Sequence, residues 1–262
     1  MKSDTDAALS ATIAGAYRWA GRPNPSQPQW RRTLRWMLGM QALLGLWFWG
    51  VILVLEALAL VIAAQFGPVQ VSMFQFATHG ALWFPFSIMI ITSAAVVTTH
   101  VAQGRTRRSF IQAALLTVAV MALGYGVLMT AGITVEGLVY DSLGWTQQHI
   151  ADVDSATAPL APWQEPLGTT LLTYITRTGG GAMAGLLVGV AYYRFGGWRG
   201  TGLLLLTALP ALAVQEALSG LLRNVVDSAL VVNGGLALAL IVAGAIAYYF
   251  LTRHLPINNP RT

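Results

Sequence analysis

The residues of this chain best suited to do chemistry are few and mostly basic. Gly104, Arg105, Thr106, Arg107, Arg108 and Phe110 stand together in HVAQGRTRRSF (100–110). A glycine, three arginines and an aromatic residue predict a compact turn that projects cationic groups. Such a turn can dock an acidic partner, bind anionic lipid, or only set the topology of a membrane chain. A second set is Glu56, Arg177 and Glu216, three ionisable residues within long apolar stretches. On insertion scales a charge at the centre of a spanning helix costs about 2.5–3.5 kcal/mol, so each asks for a reason. Arg177 is expected to pair with Glu56, Glu216 or both. The cluster would then be a fixed ion pair, or a gate or cavity lining, or a set of side chains reaching out to the interface.

Other chemistries find no support in the sequence. No pair of His, Asp or Glu has the helix-face spacing of a metal site, so none is expected. G-x-S-x-G, H-E-x-x-H and Walker A sequences are missing. TRTGGGAMAG (176–185) is glycine-rich, but it opens an apolar run and lacks the strand–turn–helix context of a phosphate loop. His79 and His100 read as lone interfacial hydrogen-bonders. With no cysteine, neither disulfides nor thiol chemistry arises. The net charge of +5 is explained by membrane topology and attraction to anionic lipid, without nucleic acid as a partner.

The elements that must position these residues are long and greasy. Hydrophobic residues make up 55% of the chain and charged ones 10%, a balance that a soluble domain could not hide. An all-α, polytopic membrane protein with six transmembrane helices is expected, with spans at about 36–65, 81–102, 109–131, 171–193, 200–220 and 229–251. All Lys and Arg residues except Arg177 and Arg223 fall in segments on one side of these spans. That side should be cytoplasmic, which places both termini inside a bacterial plasma membrane.

Residues 1–29 read as a cytoplasmic segment broken by the prolines of RPNPSQPQ (22–29), and 252–262 as a cytoplasmic tail. Arg31-Arg32 precedes a run too long and apolar for a twin-arginine signal. Trp30, Arg31, Arg32 and Arg35 suit an amphipathic helix lying on the inner leaflet before the chain turns into the first span. The alternative is that these arginines simply anchor that span. Between the third and fourth spans, 132–168 is expected as an outer loop capping the bundle, with a short amphipathic helix over 135–153. Gly181, Gly185 and Gly189 form a small-xxx-small ladder for helix packing, within one subunit or between two. Gly235, Ala239, Ala243 and Ala247 make a similar strip. Pro85 and Pro210 are expected to bend spans two and five.

The plan resembles the permease subunits of type-2 ATP-binding-cassette (ABC) exporters. In that family a G-x-[ST]-R-R-x-F-like element marks a cytoplasmic coupling segment between spans two and three; Gly104, Thr106, Arg107, Arg108 and Phe110 match it here. Size, six spans and an elbow helix before the first span agree in outline. The resemblance implies a second permease copy and a separate ATP-binding subunit contacted through 103–110. ATP and magnesium would sit on that partner, with no cofactor or catalytic residue in this chain. It also implies a re-entrant outer element, for which 214–228 is the candidate. The outer loop is longer than the family plan suggests. The alternative function is a six-span immunity or scaffold protein without a transport cycle, and a third option is an intramembrane enzyme.

Overall fold

Pro28 caps a helix that nothing interrupts for 36 residues: α1, Gln29–Ala64. The computed structural model describes residues 27–150, 160–162, 166–212 and 229–255. A separate interfacial helix at 30–37 is not what forms. Trp30, Arg31, Arg32 and Arg35 are the opening turns of the same helix that carries Glu56. The physical reason is local: no proline lies between Gln29 and Ala64 to turn the chain, and interior glycines alone only weaken a helix. The run ends at Gly67, whose φ of 134° is open to glycine but not to side chains, followed by Pro68.

A 3-10 turn (Phe74–Phe76) leads into α2 (Ala77–Ile91), a π turn (Thr92–Val96) and α3 (Val97–Ala102). Pro85 lies inside α2 and cannot donate to the carbonyl of Ala81. Departure from α geometry comes two turns later, at the π turn. After a tight turn, α4 runs Arg107–Ser142, again 36 residues. The expected outer loop therefore starts later than 132, because Val135–Ser142 extends the helix rather than forming a short helix of its own. Gly144, at φ 70°, ends it. The Trp145 N–H reaches Tyr140 O at 2.8 Å and the Gly144 N–H reaches Asp141 O at 3.1 Å, a Schellman closure. The Trp145 ring lies edge-on to Tyr140 at 5.7 Å.

Beyond it, β1 (Gln148–Ile150) pairs antiparallel with β2 (Leu160–Pro162), His149 opposite Ala161. α5 (Leu167–Gly202) follows, broken at Gly196 (φ 75°). Two short helices, α6 (Leu204–Thr207) and α7 (Leu209–Leu212), stand where the first part of a bent fifth span over 200–220 was expected. Pro210 has no N–H to continue the ladder there. The last helix is α8, Ala229–Arg253. The N-terminal segment, the re-entrant candidate 214–228 and the end of the tail lie outside the described residues.

Contacts fix the directions of the helices. The Thr117 hydroxyl lies 3.7 Å from Met37 Sδ, and a Cβ on Gly45 would lie 3.3 Å from the Tyr125 hydroxyl. α1 and α4 are therefore parallel. Gly181, Gly185 and Gly189 meet Leu82, Phe86 and Ile90 in the same order, so α5 runs parallel to α2. Gly244 faces Met183, while Leu251 O accepts from Arg194 at 2.9 Å, so α8 runs with α5.

Among the described residues, four helical stretches are long and apolar enough to cross a membrane: Gln29–Ala64, Phe74–Ala102, Arg107–Ser142 and Gly235–Arg253. α5 is equally long but less apolar, and it packs against α2, α4, α6, α7 and α8. Every residue from Thr178 to Ala191 is buried. A helix surrounded by protein needs small residues for close approach more than it needs apolar ones.

Candidate functional site

Two capping devices build the turn between α3 and α4. Gly104 takes φ 75°. Its N–H reaches Val101 O at 2.9 Å while the Arg105 N–H reaches His100 O at 3.3 Å, closing α3 in a Schellman motif. Thr106 then caps α4, its hydroxyl accepting the Ser109 N–H at 3.2 Å. Gln29 Oε1 accepts the Thr106 N–H and hydroxyl, each at 3.3 Å, tying the turn to the start of α1. The Ser109 hydroxyl donates to Thr106 O at 2.8 Å and lies 3.1 Å from His100 Nε2. With that hydroxyl proton engaged, the imidazole takes the donor role from Nε2.

Phe110 is fully buried, its ring 5.4 Å from that of His100. Sequence grouped it with the contact residues, but it is an anchor that seats the turn on the core. Gly104 and Thr106 likewise serve the backbone. The charged groups are left to Arg105 on the turn and to Arg107 and Arg108 in the first turn of α4.

Those last two do not project alone. Arg107, Arg108 and Ile111 line an open cavity of about 200 Å³ with Tyr249 and Arg253 of α8. The Arg107 Nε is buried and has no hydrogen-bond partner among the described residues. The Arg253 guanidinium stands 6.0 Å from the Tyr249 ring centre.

At the opposite end, Glu136 near the end of α4 does work that the sequence did not announce. Its carboxylate accepts the Met73 N–H at 2.7 Å and the Phe74 N–H at 3.1 Å. It also accepts the Ser72 hydroxyl and, at 2.9 Å, Gln147 Nε2. A side chain of α4 thus caps the helical entry to α2, where free N–H groups favour negative charge. The Tyr140 hydroxyl adds a bond to Val71 O at 2.8 Å. The sequence motifs did not single out Glu136; its helical phase with Tyr140, four residues on, was the available signal.

Glu56 is half-buried on α1, within electrostatic range of the Glu136 carboxylate. Arg177 is half-buried on α5, and Glu216 lies outside the described residues. Between the two ends, Gln41, Gly45 and Trp49 follow one face of α1 at helical spacing. Gln41 Oε1, Trp49 Nε1 and the Tyr125 hydroxyl are buried there without partners among the described residues. Gln41 and Trp49 are each 8% exposed and Tyr125 6%, so this polar seam lies well inside the protein. The described residues hold no group of His, Asp and Glu arranged to bind a metal.

No family model, curated protein or solved structure matches the chain.

Proposed function

We propose that this chain is the membrane-spanning permease subunit of an ATP-driven ABC exporter. It has six spans, both termini in the cytoplasm of a bacterial plasma membrane, and a second permease copy as partner. ATP and magnesium belong to a separate ATP-binding subunit, and this chain supplies no hydrolytic residue.

The observation that carries this reading is the turn at 103–106. Its helix caps and the bonds to Gln29 make it a rigid link, so a displacement applied to the turn reaches α1, α3 and α4 together. Arg105 sits on the link, and Arg107, Arg108, Arg194 and Arg253 gather at the same end. That end is the inner one by the positive-inside rule. The polar atoms of Gln41, Trp49 and Tyr125 that have no partner among the described residues offer hydrogen bonds to a polar group of an otherwise apolar cargo.

Gentle purification from the native membrane tests the proposal. A stoichiometric subunit with a Walker A sequence is expected, with ATP hydrolysis that Arg105→Glu depresses while the unfolding midpoint stays unchanged. A chain that purifies alone, without associated ATPase activity, overturns the reading in favour of a scaffold or immunity protein.

A further inference from the structure

The cavity between α4 and α8 has the chemistry of an oxyanion site. Three arginines, Arg107, Arg108 and Arg253, line one space of about 200 Å³ together with Tyr249. Guanidinium forks match phosphate oxygens, and several around one site leave a strong demand for negative charge. The Arg107 Nε is buried and unsatisfied among the described residues, a donor already withdrawn from water with nothing to accept it.

The surface beside the cavity names the source of that phosphate. Leu238, Val242, Ile246 and Phe250 recur every four residues along α8 toward Tyr249 and Arg253, exposed by 58%, 51%, 55% and 57%. A ligand whose phosphate sat among the arginines would find an apolar stripe for its tails. We propose that the cavity binds the phosphate headgroup of an anionic phospholipid from the inner leaflet, its acyl chains lying along the exposed face of α8. This stands independently of the exporter reading, because it concerns this chain and lipid alone.

Native mass spectrometry of the purified full chain, titrated with phosphatidylglycerol or phosphatidylcholine, tests it. Preferential retention of phosphatidylglycerol is expected, with affinity falling roughly fivefold for each of Arg107→Gln and Arg253→Gln. Arg253→Lys, which keeps the charge, should retain most of the preference. Arg108→Gln, at an exposed position, gives the same readout if the other variants fail to fold. Equal lipid affinity in wild type and folded variants overturns the proposal. A further arm adds millimolar inorganic phosphate. No displacement of lipid supports the headgroup assignment, whereas full displacement overturns lipid as the source and assigns the arginines to a soluble phosphate compound.

Discussion

Thr178 of α5 donates its hydroxyl to the carbonyl of Ala81 in α2 at 3.4 Å, the very acceptor that Pro85 leaves without its helical partner. In hydrocarbon such a carbonyl has no water to turn to, and a neighbouring threonine supplies the bond. Thr178→Val should therefore destabilise by about 0.6–1.7 kcal/mol, the range for such bonds in membranes. Pro85→Ala restores a donor within α2, so the same Thr178 change should cost less in its presence. A double-mutant cycle on unfolding in detergent measures that coupling; strictly additive effects would show that the hydroxyl does not serve the stranded carbonyl.

Glycines of α5 and α4 should respond oppositely to a methyl group. A Cβ on Gly189 would lie 2.6 Å from Ile90 O, one on Gly181 would lie 2.8 Å from Leu82 O, and one on Gly185 would strike Phe86 O. Each Gly→Ala change here should destabilise by about 1–3 kcal/mol through overpacking. Gly124 has nothing within 4 Å of its Cβ direction. Gly124→Ala should stabilise α4 by about 0.5–1 kcal/mol, since glycine is the costlier residue in a helix. Thermal midpoints of the four variants decide the matter.

Loss of the Glu136 carboxylate removes acceptors from Ser72, Met73, Phe74 and Gln147 at once. Glu136→Ala is expected to lower stability by about 1–3 kcal/mol, the cost of stranding partly buried donors. Hydrogen exchange at Met73 and Phe74 should accelerate in that variant while amides of α5 remain protected. Uniform acceleration across both would mean that Glu136 supports the whole bundle rather than the entry to α2.

Tyr125 carries a buried hydroxyl without a partner among the described residues. Tyr125→Phe keeps the ring contacts with Phe48 and Trp49 and removes a group that has lost water without gaining a bond. The unfolding midpoint should rise, by about 1 kcal/mol in stability. If the seam serves a polar cargo, the same variant should transport less while unfolding later. A fall in stability would instead show that the hydroxyl is satisfied in the folded protein.

Local signals were readable in sequence, and those that depend on helix neighbours were not. The turn at 103–106 was legible because glycine and threonine do their work within a few residues of themselves, as C-terminal and N-terminal caps. The small-residue ladder of α5 was legible by its spacing, though not which helix it would meet. The continuity of α1 was misread because arginines and tryptophans near an interface look alike in a surface helix and in the end of a long span. The extension of α4 to Ser142 was missed for a related reason: Glu136 and Asp141 lower the apolar signal, while the backbone has no cause to stop before Gly144. The burial of Phe110, the capping by Glu136 and the cavity that Arg253 shares with Arg107 depend on packing between segments, which spacing along one segment does not encode.

The contact between α2 and α5 has a mechanical consequence. Carbonyls of one helix rest on the glycines of the other, and apart from Leu82 the atoms nearest Gly181, Gly185 and Gly189 are backbone or Cβ atoms, which absorb little of a shift. Sliding these two helices past each other would bring bulkier positions into register, so they move as one stiff body. α1 is different: Phe48, stacked at 4.4 Å on Phe84 of α2, and Trp49, 5.4 Å from Tyr125, hold it through aromatic rings that can re-angle. Compliance in this molecule is thus concentrated in the seams of α1, and stiffness follows the glycines.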